Sequence, residues 1–178
     1  ERLPKGADVN ALAVGWGLGC YQFSRYKKPK RLASLAMPRE ADASRVQAFT
    51  GAIGMARNLI NTPASDLHTE ALADAAAELA GRYGAACHIL KGKQLTEENF
   101  PAIYSVGKGS IHPPCLADLR WGREDAPKVT LVGKGVCFDT GGLDIKSSAN
   151  MRLMKKDMGG AAVCMALAML VMEQKLDI

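Results

Sequence analysis

Residues 132–162 read VGKGVCFDTGGLDIKSSANMRLMKKDMGGAA, and this stretch decides how the rest of the chain is read. It leaves an apolar segment, Lys128 to Val132, whose Val129-Thr130-Leu131-Val132 core predicts a strand. The strand pattern breaks at Gly133. Ionisable residues then sit among glycines: Lys134, Asp139, Gly141, Gly142, Lys146, Asp157, Gly159 and Gly160. The stretch closes into an apolar helix, expected from about Asp157 to about Lys175. A strand end that gives way to a glycine-rich loop and then a helix is where α/β proteins place their chemistry.

Two nucleotide readings of the glycines fail. A dinucleotide fingerprint needs a third glycine where Phe138 stands, and a phosphate-binding loop needs Ser or Thr where Gly135 stands. Gly141 and Gly142 suit a turn with unusual backbone angles, and Gly159-Gly160-Ala161-Ala162 suits close packing at a helix start. On residue chemistry alone, Asp157 reads as a helix cap before a metal ligand. Lys134 reads as an exposed cation or salt-bridge partner. Two separated carboxylates, Asp139 and Asp157, can still converge on a divalent cation.

The order of these residues resembles the signature of the M17 leucyl aminopeptidases, two-metal cytosolic exopeptidases. The match runs through Gly133-Lys134-Gly135-Val136-Cys137-Phe138-Asp139-Thr140-Gly141-Gly142-Leu143-Asp144-Ile145-Lys146. It resumes at Met151-Arg152-Leu153-Met154-Lys155-Lys156-Asp157-Met158-Gly159-Gly160-Ala161-Ala162. A weaker echo is Arg57-Asn58-Leu59-Ile60-Asn61-Thr62-Pro63. The resemblance implies that Asp139 bridges two divalent ions, zinc or manganese, and that Asp157 and Lys134 each bind one. Lys134 would do so as a neutral amine, which demands burial and nearby cations. Lys146 is implied as the catalytic cation that stabilises the oxyanion, and Met154 as part of the substrate pocket, with a plain core methionine the equal alternative. The implied reaction is release of N-terminal residues, leucine-type, from peptides by a metal-activated water. A homo-hexamer in the cytoplasm is implied as well.

The resemblance also marks what these residues lack. A motif close to N-T-D-A-E-G-R supplies the remaining metal ligands and an arginine that holds a bicarbonate-like anion, and it is absent here. The expectation is a piece of a longer enzyme that is inactive alone and binds two metals weakly or not at all. Many relatives carry an acidic residue where Arg152 stands, which leaves substrate preference open.

Composition fits this reading without deciding it. The 178 residues are 48% hydrophobic and 23% charged, ordinary for a globular protein with its own core. A net charge of +5 is too small to name an anionic partner. The alternative function is a catalytically dead or dual-role relative that contacts nucleic acid through Lys27–Arg31, a run that more simply reads as a solvated linker. Five scattered cysteines read as free thiols in a reducing compartment, with Cys137 a packing residue and not a nucleophile. His68, His88 and His112 show no metal-ligand spacing. Met158 to Met172 is too short for a membrane span, and the N-terminus has no signal-peptide pattern.

Helices are expected over residues 7–26, over residues 42–60 with Asp42 or Ser44 as cap, and from a Thr69 cap to about Arg82, ending near Gly84. Another would run from a Thr96 cap through Tyr104. Strands are expected at Ala86–Leu90 and Cys115–Trp121 besides Lys128–Val132. The fold class is α/β: an incomplete three-layer α/β/α catalytic domain, preceded by the tail of a smaller N-terminal α/β domain. The divisions are residues 1–30 for that tail, 31–60 for linker and connecting helix, and 61–178 for the first part of the catalytic domain.

Overall fold

The computed structural model describes residues 6–178. Its helices are α1 (Val9–Gly19), α2 (Ala43–Asn61), α3 (Thr69–Tyr83), α4 (Gln94–Glu97), α5 (Pro101–Gly107), α6 (Ser148–Met151) and α7 (Gly159–Glu173). Strands β1 (Ala86–Lys91) and β2 (Cys115–Arg120) pair antiparallel, with Ala86 opposite Arg120 and Lys91 opposite Cys115. The class is α/β, as expected.

Helix α2 is the spine. Asp42 is its cap, its carboxylate accepting from the Arg45 N–H at 3.0 Å. One flank of α2 packs on α7 and another on α1. Small residues permit the approach: Ala52 and Ala56 on α2, and Ala162 and Ala166 on α7, are buried together. Met158, Met165 and Met172 fill the remaining space, joined by Leu72, Ala76 and Leu79 of α3. Helix α3 ends at Gly84 in the left-handed conformation (φ 65°), and it covers the β1–β2 ribbon.

Several boundaries depart from the sequence reading for physical reasons. Helix α1 stops at Gly19 instead of continuing to Tyr26; beyond it, the Tyr21 hydroxyl donates to Asn58 on α2 at 2.8 Å. Gly17 is more than a weak point in α1, because a Cβ there would lie 2.5 Å from Thr50 Cγ2 of α2. Thr69 does not cap α3: His68 holds that position, and the Thr69 hydroxyl donates to the Pro113 carbonyl at 2.7 Å. The helix expected from Thr96 through Tyr104 is two helices, since Pro101 starts a new one. Lys27–Arg31 is exposed and irregular.

The largest departure is Lys128–Val132, which has no strand partner among the described residues. Val129 and Val132 are 61% and 87% exposed. A strand is made by its neighbours' hydrogen bonds as much as by its own residues, and here those neighbours are lacking. None of the described helices is long and apolar enough to cross a membrane.

Candidate active site

The glycine-rich loop is held against the start of α7. The Ala161 N–H donates to the Lys134 carbonyl at 2.9 Å, and a Cβ on Gly133 would stand 2.7 Å from Ala161 Cα. A Cβ on Gly160 would likewise meet the Lys134 nitrogen at 2.9 Å. The backbones touch here, so both glycines are steric requirements. Farther along, Gly141 (φ 93°) and Gly142 (φ 69°) adopt left-handed angles, as the sequence suggested. This turn folds the chain back so that the Lys146 N–H reaches the Thr140 carbonyl at 3.0 Å.

The turn and the backbone contact together pair the four ionisable residues. Lys146 Nζ donates to Asp139 Oδ2 at 2.5 Å, and the Gly141 N–H donates to Asp139 Oδ1 at 2.9 Å. The hydrogen bond from Lys146, aided by that from Gly141, holds the Asp139 carboxyl below the usual carboxylate range. Lys134 Nζ donates to Asp157 Oδ1 at 2.9 Å. Asp157 sits in the 3₁₀ turn Met154–Met158 that leads into α7, and its side chain is only 15% exposed. It is not the cap of α7, which falls on Met158. Asp157 Oδ2 is buried and has no hydrogen-bond partner among the described residues.

An orphaned buried carboxylate oxygen is costly unless something cationic meets it. The donor set of two carboxylates and an amine suits a divalent ion such as manganese or zinc. The residues present therefore fit the metals that the signature implies. Lys134 differs from expectation in one respect: its side chain is 59% exposed, so it is not the buried amine that reading required. Met154 is buried at 8% exposure in the turn that carries Asp157. Burial pushes the Cys137 thiol up to about 11, which leaves it an inert packing residue.

A cavity of about 750 Å³ opens beside the loop. Leu72, Ile103, Val136 and Met165 give it an apolar lining, and of the four ionisable residues only Lys134 reaches it. His68 and His112 stand on its wall. Together with Glu70 they form a cluster whose ligand atoms all lie within 4.8 Å of one another. Sequence spacing gives these histidines no metal-ligand pattern. Their meeting depends on a loop crossing the start of α3, and no local pattern announces it.

Comparison with known proteins identifies the family. The chain matches the family described as cytosol aminopeptidase family, catalytic domain, over residues 54–178. It belongs to that family. Residues 1–38 match a second description, M17 aminopeptidase, N-terminal domain. A protein of Rhodococcus opacus named a probable cytosol aminopeptidase is 37% identical over 92% of this chain and 36% of its own length. The crystal structure of a cytosol aminopeptidase from Coxiella burnetii is 48% identical, with a TM-score of 0.86, over 95% of this chain and 37% of that one. The bottromycin maturation enzyme BotP, solved in complex with Mn, is 37% identical, with a TM-score of 0.79, over 94% of this chain and 37% of its own. The chain thus spans little more than a third of the length of these relatives. It carries the tail of the N-terminal domain and part of the catalytic domain.

Proposed function

We propose that the whole protein is a metal-dependent aminopeptidase that removes N-terminal residues, leucine-type, from peptides. The observation that carries this is the pairing of Lys134 with Asp157 and of Lys146 with Asp139, with Asp157 Oδ2 left unpartnered inside the protein. Asp139, Asp157 and Lys134 would hold two divalent ions, zinc or manganese, and the manganese of BotP supports that chemistry for a relative. When bound, such ions polarise a scissile carbonyl and lower the pKa of a water.

The chain's own residues do the rest. The left-handed turn at Gly141–Gly142 presents Asp139 and Lys146 on one side of the loop. Lys146 brings a positive charge to where negative charge forms on the substrate oxygen. The contact of Gly133 and Gly160 with opposing backbone fixes Lys134 against the turn that carries Asp157. Lys134 can act as a ligand only through its amine lone pair, so it must give up its proton as an ion arrives. Met154, packed three residues before Asp157 in the same 3₁₀ turn, would back the pocket for the substrate's apolar side chain.

The finer assignments rest on resemblance to the family. They are a homo-hexamer, a cytoplasmic location and a bicarbonate-like anion held by a residue outside this chain. The division into residues 1–30, 31–60 and 61–178 is part of the same reading.

The test is Lys146→Ala in the whole enzyme, assayed on a leucyl anilide. Loss of a fixed charge aimed at an oxyanion is expected to lower kcat by roughly 10²–10³ with KM little changed. An unchanged kcat refutes the role. This chain alone is expected to show no peptidase activity.

A further inference from the structure

The signature leaves one chemically competent cluster unused. Glu70 lies in the first turn of α3 and His68 precedes that helix. The loop after α5 brings His112 across, pinned by the hydrogen bond from the Thr69 hydroxyl to the Pro113 carbonyl at 2.7 Å. The two imidazoles stack, with centroids 3.8 Å apart and planes 7° from parallel. His112 Nδ1 lies 3.8 Å from Glu70 Oε2, while Glu70 Oε1 faces Lys91 Nζ at 3.6 Å. His68 Nδ1 is buried and has no hydrogen-bond partner among the described residues. A structural stack would be expected to satisfy that nitrogen, and this one does not.

We infer that His68, Glu70 and His112 form a binding site for one divalent transition ion, separate from the carboxylate–lysine pairs of the signature. Two imidazoles with one carboxylate favour zinc, cobalt, nickel or copper over magnesium or calcium, whose preference is for oxygen. Three protein ligands leave a fourth position open toward the cavity whose wall carries both histidines. Glu70 would ligate through Oε2 and keep Oε1 on Lys91, a partner that fixes the carboxylate's orientation.

The cluster is wider than a filled site. Ligand atoms about 2.0–2.1 Å from a tetrahedral ion stand roughly 3.3 Å from one another, so the 4.8 Å spread must contract. The stack must also open, because an ion in the plane of one ring lies outside the plane of its parallel neighbour. The loop backbone is pinned, and the His112 side chain has room to turn. That side chain is 37% exposed, and the loop neighbours Ser110 and Ile111 are exposed as well.

The experiment is a Co(II) titration of the untagged chain, read by the visible d–d absorption of the bound ion and by displacement with Zn(II). One Co(II) per chain with an intense low-coordinate band is expected. His112→Ala and Glu70→Gln should each weaken binding by roughly tenfold or more. His88→Ala, which changes the remaining histidine, should leave the band unchanged. Absence of the band, or its survival at full affinity in His112→Ala, overturns the inference. Loss of the band in Asp157→Asn alone places the ion at the signature carboxylates; that outcome refutes this site while leaving the aminopeptidase reading intact.

Discussion

Gly133 and Gly135 are two residues apart, and the structure predicts opposite effects when each becomes alanine. Neither backbone is in the left-handed region, so space alone separates them. A Cβ at Gly133 would lie 2.7 Å from Ala161 Cα, 2.7 Å from the Gly160 carbonyl oxygen and 2.9 Å from the Ala161 nitrogen. All three are backbone atoms of the first turn of α7, and none can rotate away. The loop must lift instead, which strains packing at about 1–3 kcal/mol. Lifting also weakens the Ala161-to-Lys134 hydrogen bond, a loss of about 1 kcal/mol. The Gly133→Ala variant is thus expected to lose about 2–4 kcal/mol, which for a chain this long lowers Tm by roughly 4–16 °C. At Gly135 the added Cβ meets Ala161 Cβ and Leu72 Cδ2 at 3.7 Å, an ordinary contact. Gly135→Ala is expected to hold its stability or gain about 0.4–1 kcal/mol from a less flexible unfolded chain. Urea unfolding of both variants measures the difference, and hydrogen exchange at the Ala161 amide should rise in Gly133→Ala only. Equal stabilities, or an unchanged Ala161 amide, would refute the claim that this glycine exists for backbone contact.

Two further outcomes follow from burial. Leu79 is 1% exposed in the core, so Leu79→Ala should cost about 2–5 kcal/mol in urea unfolding, whereas Leu143→Ala, at a fully exposed position, should stay within about 0.5 kcal/mol. Burial, reinforced by the hydrogen bond its hydroxyl donates to Glu173, pushes Tyr83 up to about 12. The fold therefore favours the neutral phenol: the contribution is complete below about pH 10, where the unfolded tyrosine begins to ionise, and is lost as pH rises toward 12. Tyr83→Phe should flatten that alkaline loss of stability in an unfolding series from pH 8 to 12; an equally steep loss in the variant would assign it elsewhere.

Local signals were legible wherever the interaction itself is local. Asp42 three residues before the Arg45 amide, Gly84 after α3 and the Gly141–Gly142 turn could be placed because each partner is nearby in sequence. Thr69 misled for the same reason. It carries the residue type of a cap, but its hydroxyl is taken by Pro113, 44 positions away. Lys128–Val132 has the composition of a strand and lacks partners, which no property of five residues can reveal.

The same division runs through the chemistry. Asp139 and Lys146 lie seven positions apart and are joined by a turn whose glycines dictate its shape, so their pairing is close to a local property. Lys134 and Asp157 lie 23 positions apart and were linked in advance only because the whole signature resembles a known family. Their contact exists because Gly133 and Gly160 let two backbones meet, and side-chain patterns carry no record of that distance. His68, Glu70 and His112 had neither aid. They converge because α3 and the loop after α5 are tied at Thr69 and Pro113, a consequence of packing the β1–β2 ribbon under α3. A signature thus finds chemistry that its own spacing encodes, whereas a cluster assembled by tertiary contacts must be read from coordinates. Ionisable groups left without partners, Asp157 Oδ2 in one site and His68 Nδ1 in the other, are the common physical trace of both.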